Sequence, residues 1–169
     1  MSKSLGNSPD PLELIDKYGA DGVRMGLMTA ASAGNDILFD EGLVEQGRNF
    51  SNKLWNSFRL IQGWEISDTI AQEEAQKAAI DWFEQLLRKE ETILADHFKK
   101  YRINDAALLM YKLIRDDFSG TYLELIKPPY GAPIDRATIM ATNRFFEELL
   151  KLLHPFMPFI TCLLYTSLS

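Results

Sequence analysis

The sequence has little cysteine and histidine, and it has no long uninterrupted apolar run. Cys162 is the single cysteine among 169 residues, so a disulfide framework and a cysteine-rich zinc site are both excluded. The two histidines, His97 and His154, lie far apart in the sequence, which gives a metal site no support. The nearest approach to a membrane span is LLHPFMPFITCLLY at 152–165, and a histidine and two prolines interrupt it. No membrane-spanning segment is therefore predicted.

An excess of basic residues is also lacking, because 18 lysines and arginines stand against 24 acidic residues, for a net charge of -6. This balance argues against a basic surface spread over the whole chain, although a local basic face remains compatible with it. The N-terminus lacks the apolar core of a signal peptide. We therefore expect a cytoplasmic protein with a reduced thiol and, at 46% hydrophobic residues, an ordinary globular core.

What the sequence does contain is helical periodicity. Apolar residues recur three or four positions apart in segments 41–63, 70–101, 104–126 and 135–153, and no segment alternates with period two. Two shorter helices precede them, from Pro11 to Gly19 and from about Ala20 to Ala31. Asp10, Asn104 and Asp135 are predicted N-caps, and Trp82, Phe83 and Tyr101 are predicted core residues. The fold class is all-α, an antiparallel bundle of four or five helices preceded by a loop and two short helices.

The first residues carry a pattern suited to phosphate chemistry. Lys3 is a mobile point charge between the hydroxyl groups of Ser2 and Ser4, followed by Gly6. Such a loop can close over a polyphosphate and neutralise charge that develops on its oxygens. Taken alone, however, the stretch is more typical of a disordered terminal tail.

The sequence around this loop resembles that of the class I aminoacyl-tRNA synthetases. MSKSLGN followed by DPLELIDKYGADGVR is similar to the second signature loop of that class, Lys-Met-Ser-Lys-Ser, without its first lysine, and to the segment after it. Among the valine, isoleucine and leucine enzymes, the valine type matches best, with the isoleucine type as the alternative. The stretches that decide this are GNDILFDE (34–41), GRNFSNKLWN (47–56), RINDAALLMYKLIRDDFSGTYLELIKP (102–128) and LLHPFMPFIT (152–161).

The resemblance implies a division of the chain into three parts. Residues 1–40 would be the end of the catalytic domain with its ATP-binding loop, and residues 41–161 would be the anticodon-binding bundle. The first signature motif, the amino-acid pocket and the editing domain of the family lie upstream, so we expect a piece of a larger enzyme that is inactive alone. CLLYTSLS at 162–169 does not resemble the family, and we expect a non-native tail there.

The resemblance also implies a function for the parent enzyme. That enzyme would activate valine with ATP and Mg²⁺ and transfer it to the valine tRNA, acting as a cytoplasmic monomer. Lys3 would be the catalytic residue that stabilises the departing pyrophosphate, and Ser2 and Ser4 would complete the ATP-binding loop. No metal-ligating residues are predicted in this segment, since no carboxylate cage is present.

One face of segment 41–63 is a candidate RNA-binding surface. Two arginines and two asparagines fall on it at about 100° per residue, and a tryptophan beside them can stack on a base; the five are Arg48, Asn52, Trp55, Asn56 and Arg59. The alternative is an ordinary solvated face. Two broader alternatives also stay open, a freestanding RNA-binding bundle without catalysis and a purely structural helical fragment.

Overall fold

The computed structural model describes residues 10–31 and 39–168, and most of these residues are helical. The helices within the described ranges are α1 (Pro11–Tyr18), α2 (Ala20–Ala30), α3 (Glu41–Gln62), α4 (Glu74–Lys99), α5 (Ile103–Lys112), α6 (Leu123–Ile126), α7 (Arg136–Leu153) and α8 (Pro158–Leu168), with a π-helical segment (Leu113–Tyr122) joining α5 to α6. Two short strands, β1 (Ile66–Ser67) and β2 (Ile134–Asp135), pair in parallel. The predicted all-α class is confirmed. The two-residue parallel ladder was not predicted.

The helix ends follow local capping chemistry. The carboxylate of Asp10 accepts the backbone N–H of Leu12 at 2.9 Å, and that of Asp135 accepts the N–H of Thr138 at 2.8 Å. Both predicted caps are confirmed, because these short acceptors satisfy amides that the first helical turn leaves free. The predicted cap at Asn104 is wrong. Helix α5 already begins at Ile103, and its N-cap residue, Arg102, makes no side-chain capping bond.

The centre of the bundle is a cluster of aromatic rings contributed by α4, the π-helical segment and α7. The ring centroids of Phe83 and Tyr122 lie 4.9 Å apart, and those of Phe118 and Phe146 lie 5.7 Å apart in a stacked arrangement. All four side chains are fully buried. Desolvation in this cluster raises the pKa of the Tyr122 hydroxyl to about 12. The cluster therefore fixes how α4, the π-helical segment and α7 meet.

Two of the predicted core aromatics lie at the surface instead. Phe83 is buried as predicted, but Trp82 is 39% exposed and Tyr101 is 82% exposed. Consecutive helical residues point about 100° apart, so Trp82 cannot share the inward direction of its neighbour. Tyr101 follows α4 with a φ of 57°, a left-handed conformation that ends the helix and turns the ring outward.

Helix α2 packs directly on α3 through glycines. A Cβ atom placed on Gly47 would lie 2.4 Å from the carbonyl oxygen of Gly22, and one on Gly26 would lie 2.7 Å from the Cα of Val44. Contacts this short leave no room for a side chain, so the two helix backbones touch. The helices before residue 40 are thereby joined firmly to the first helix of the bundle.

Two features in the second half of the chain are not predicted by the sequence. Residues 104–126 were predicted as one α-helix, whereas the structure widens residues 113–122 into a π-helix. Helix α8 was not predicted at all, because Pro155 and Pro158 read as breakers; Pro158 instead takes the first helical position, which proline tolerates. Helix α8 includes residues 162–168, and Leu164 within it is buried. The assignment of 162–169 as a non-native tail, like the boundary at residue 40, stays a prediction.

Candidate nucleic-acid interface

The candidate surface predicted on α3 is exposed. Val44, Phe50 and Leu54 are buried along one side of this 22-residue helix. All five candidate residues, namely Arg48, Asn52, Trp55, Asn56 and Arg59, lie in exposed positions. The helix is about 33 Å long at 1.5 Å per residue, so the five are spread over about half of its length and do not share one pocket.

Arg48 and Asn52 line a cavity of about 570 Å³ between α3, the α1–α2 corner and the start of α8. The Arg48 guanidinium donates a hydrogen bond to the carbonyl oxygen of Lys17 at 3.3 Å. That bond ties α3 to the end of α1, and it leaves other guanidinium N–H groups available to a ligand. The structure therefore places Arg48 at the junction with residues 10–31, away from the far end of the bundle.

Trp55 and Asn56 lie on the open surface between the two ends of α3. The Trp55 ring lies 5.8 Å from that of Phe58, which in turn lies 6.5 Å from the core ring of Phe146. Trp55 is 39% exposed, so one part of its ring is packed and the rest faces solvent. Such a held ring is suited to stacking on a base.

Arg59 lines a second cavity, of about 660 Å³, at the far end of the bundle, which we call the end groove. Its walls are the C-terminal turn of α3 with the residues after it and the loop that follows α6; they comprise Arg59, Leu60, Gly63, Trp64, Glu65 and the stretch from Lys127 to Ala132. The side chain of Arg59 makes no hydrogen bond or ion pair within the described ranges. It is therefore a free guanidinium facing an open groove.

A turn after α6 presents an aromatic ring beside this groove. The N–H of Ala132 donates to the carbonyl oxygen of Pro129 at 2.9 Å, and Gly131 has a φ of 77°. Proline followed two positions later by glycine with positive φ fits a type II turn with Tyr130 at its tip. The Tyr130 side chain is fully exposed. Sequence reasoning missed Tyr130, because Pro128-Pro129-Tyr130-Gly131 was interpreted only as a helix stop.

The loop on the other side of the end groove is held in place by hydrogen bonds. The N–H of Ile134 donates to the carbonyl oxygen of Glu65 at 2.8 Å. Arg136 pairs with Asp68 through two N–H groups, the Nη2 contact being 2.9 Å, and this guanidinium holds the pKa of the Asp68 carboxyl below its usual value. These bonds hold residues 65–68, next to the groove, against β2 and the first residue of α7.

The charge of the end groove is mixed. Lys127 forms an ion pair with Glu124, and Glu65 adds a carboxylate to the lining. Free positive charge is supplied by Arg59, while Trp64 and the neighbouring Tyr130 supply rings. A single free guanidinium and aromatic rings in one groove favour single-stranded bases over an extended duplex backbone.

The predicted ATP-loop residues cannot be placed. Ser2, Lys3 and Ser4 lie outside the described residues.

In the ranges 10–31 and 39–168, no cluster of three or more histidine, cysteine or carboxylate side chains is positioned to hold a metal ion. Over the same ranges, no helix has both the length and the apolar character needed to cross a membrane.

An all-helical bundle whose end groove holds a free arginine, the half-buried Trp64 and the exposed Tyr130 has groups that helical nucleic-acid-binding modules use. Comparison with family models makes this specific. Residues 80–169, more than half of the chain, match the anticodon-binding domain of tRNA ligase, and residues 1–40 match the class I tRNA synthetases for isoleucine, leucine, methionine and valine. The chain belongs to the family of tRNA ligase anticodon-binding domains.

Individual relatives are closely similar over this stretch. The chain is 66% identical over 161 residues to the valine–tRNA ligase of Phocaeicola vulgatus and 61% identical over 169 residues to that of Parabacteroides distasonis, which covers 95% and 100% of this chain. The valine–tRNA ligase of Symbiobacterium thermophilum is 40% identical over 95% of the chain. The chain spans only about a fifth of these proteins, 18% of the first and 19% of the second.

A solved structure has the same fold. The LeuRS of Agrobacterium radiobacter K84, crystallised as a ternary complex with tRNA and LeuAMS, superposes with a TM-score of 0.68 at 20% identity. The match covers 100% of this chain and 21% of that protein. At this identity the likeness supports the helical architecture alone.

Proposed function

We propose that this chain is the anticodon-binding portion of a valine–tRNA ligase and that its end groove receives the anticodon loop of the valine tRNA. The observation that carries the proposal is the end groove, where a free Arg59 guanidinium faces a cavity between Trp64 and the exposed Tyr130. Unpaired loop bases are bound by such rings and by planar donor groups. The valine assignment rests on the names of the relatives that are 61–66% identical.

The parent enzyme would attach valine to its tRNA at the expense of ATP, with Mg²⁺ as the ion that accompanies the nucleotide. In this proposal Lys3 neutralises charge on the departing pyrophosphate, and Ser2 and Ser4 line the ATP loop. Arg48, Asn52, Trp55 and Asn56 would extend the tRNA contact along α3 from the end groove. The parent would be a monomeric cytoplasmic enzyme. The 169-residue chain alone would not catalyse the reaction, so valine-dependent ATP–pyrophosphate exchange by this chain would contradict that part of the proposal.

The binding part is tested with the chain itself and a valine tRNA transcript. We expect saturable binding that weakens as salt rises, because phosphate contacts release counterions. Tyr130→Ala should weaken binding by about tenfold, since stacking of one base on an aromatic ring contributes ~1–3 kcal/mol. Arg59→Ala should weaken it as well.

The matched control is Arg88→Ala. Arg88 lies on α4 with a 74% exposed side chain and lines no part of the end groove. Its loss should leave tRNA affinity unchanged. Equal affinities for the wild-type chain, Arg59→Ala and Tyr130→Ala would remove the end groove from the interface, and absence of tRNA binding by the wild-type chain would overturn the proposal as a whole.

A further inference from the structure

Among the residues that the structure describes, Glu65 is the one carboxylate that lines the end groove. Its side chain is exposed and makes no hydrogen bond or ion pair within the described ranges. Lys127, which shares the lining, is paired with Glu124 instead. A free carboxylate repels phosphate, so a general affinity for RNA does not account for its presence in this groove.

The guanidinium of Arg59 does not neutralise this carboxylate. Arg59 lies in the last turn of α3, and Glu65 follows the end of that helix. Both side chains line the end groove, yet within the described part of the chain they form no ion pair with each other. Arginine only donates hydrogen bonds, and an ionised carboxylate only accepts them. The groove therefore offers one donor group and one acceptor group, both unpaired.

Hydrogen bonds hold the backbone at both of these residues. The carbonyl oxygen of Arg59 accepts the N–H of Gly63 at 3.0 Å, and that of Glu65 accepts the N–H of Ile134 at 2.8 Å. Ile66, the next residue, pairs with Ile134 in the β1–β2 ladder. The two side chains thus start from fixed positions, and rotation of the side chains alone brings their ends to a ligand.

The groups around Glu65 are those that read the edge of a single base. Trp64 and Tyr130 supply rings on which an unpaired base stacks, and a stacked base directs its polar edge sideways, in the plane of its ring. The exocyclic amino group of cytosine or adenine donates hydrogen bonds, and a glutamate accepts from such a group. The neighbouring ring nitrogen of either base accepts, which matches an arginine donor.

We propose that Glu65 determines base specificity in the end groove by accepting a hydrogen bond from the exocyclic amino group of one loop base. Arg59 donates to an acceptor on the same base. This inference rests on the proposed function, because it assumes that an RNA loop occupies the end groove. A keto oxygen in place of the amino group would face the carboxylate with no proton between two acceptors. The carboxylate thus lowers affinity for RNA in general and raises selectivity for an amino-bearing base.

The test measures binding of anticodon stem-loop RNAs to the 169-residue chain by fluorescence anisotropy. Each amino-bearing base of the valine anticodon loop is replaced singly by its keto counterpart, cytosine by uracil and adenine by inosine. For the wild-type chain, replacement at the base that Glu65 contacts should weaken binding by about tenfold, as expected for one lost base contact. Absence of any such preference at every loop position would overturn the inference.

Glu65→Gln gives the decisive comparison. A glutamine amide can turn its N–H₂ group towards a keto oxygen or its oxygen towards an amino group, so it fits both bases. The preference at the contacted position should therefore fall from about tenfold to about twofold or less, and the keto probe should bind this variant more tightly than it binds the wild type. A merely structural role for Glu65 would change the affinity for both probes by the same factor and leave their ratio unchanged.

The matched control is Glu13→Gln, which removes the same charge from an exposed position of α1 that lines no part of the end groove. It should keep the wild-type preference. Circular dichroism checks that each variant is folded. A wild-type ratio of affinities in Glu65→Gln would overturn the inference and leave the proposed function standing, because the loop would still bind. A wild-type chain that binds none of the probes would overturn both together.

Discussion

The carboxylate of Asp21 accepts the backbone N–H of Ile160 at 2.6 Å, although 139 positions separate the two residues. Its other oxygen accepts the N–H of Phe159 at 3.3 Å. One turn later on α2, Arg24 donates to the carbonyl oxygens of Phe156, at 3.1 Å, and Pro155, at 2.9 Å. Two side chains of α2 thus bind the backbone where α7 meets α8. Asp21 accepts from its amide N–H groups, and Arg24 donates to its carbonyl oxygens. The segment that follows the predicted ATP loop is therefore attached to the last helices of the bundle as well as to α3.

Removal of the Asp21 carboxylate should destabilise the fold. The side chain is buried, so Asp21→Ala leaves two helix-terminal amides without an acceptor at a cost of about 1–3 kcal/mol. For a chain of this size each kcal/mol lowers Tm by about 2–4 °C. Thermal unfolding followed by circular dichroism measures the change. Asp16→Ala, at an exposed position of α1, is the control, and equal Tm values for the two variants would contradict the capping role.

Substitution of Gly47 tests the contact between α2 and α3. Alanine is ordinarily favoured over glycine inside a helix by about 1 kcal/mol, but a Cβ at residue 47 would lie 2.4 Å from the carbonyl oxygen of Gly22. The clash is with backbone and cannot be relieved by a rotamer change. We expect Gly47→Ala to lower the free energy of unfolding by about 1–3 kcal/mol in urea denaturation. Gly42→Ala, whose Cβ would meet only the movable side chain of Asp40, should be far milder; a neutral Gly47→Ala would show that the helices are not in direct contact.

The hydroxyls of Ser57 and Ser119 form a buried hydrogen bond of 2.9 Å between α3 and the π-helical segment. Either single change to alanine leaves the other hydroxyl buried without that partner, at a cost of about 1–3 kcal/mol. The double variant should lose less than the sum of the two single losses. A double-mutant cycle in urea denaturation gives the coupling energy, and strictly additive losses would mean that the bond does not stabilise the fold.

Glu91 provides a pH-dependent prediction. Partial burial, followed by the neighbouring carboxyl of Glu148, raises the pKa of Glu91 above its usual value. A carboxyl with a raised pKa binds its proton more tightly in the folded state, so its ionised form lowers stability at pH above the folded pKa. Glu91→Gln should therefore increase Tm near pH 7.5, and the gain should shrink as the pH falls towards ~4, where the unfolded carboxyl is also protonated. A gain that is the same at both pH values would contradict this origin.

Features set by neighbouring residues could be predicted from the sequence, and features set by distant ones could not. Asp10 and Asp135 cap their helices through amides two or three positions away, so the local sequence is enough to predict their role. Helix α8 was missed because Pro155 and Pro158 indicate a break, whereas the carboxylate that binds its first amides, that of Asp21, lies more than a hundred positions earlier. The π-helical widening of residues 113–122 could not be predicted either, since their local sequence also fits an α-helix.

In the candidate site, too, the features set by neighbouring residues were predictable and those set by distant residues were not. Exposure of Arg59 was predicted correctly from the period of α3, but the residues that make it part of a groove come from the loop after α6. Tyr130 gave a usable signal, an aromatic residue between proline and glycine at the tip of a turn. A ring that nothing in the core requires at such a position is a candidate for binding.

The measurement that tests the central claim most directly is the affinity of the 169-residue chain for two tRNA transcripts that differ only in the anticodon. One is the valine tRNA, and the other carries a replaced anticodon triplet on the same stem. If the end groove reads the anticodon, the valine transcript should bind about tenfold more tightly, which is the discrimination expected for one well-recognised base. Equal affinities for the two transcripts, or no binding of either, would contradict the claim.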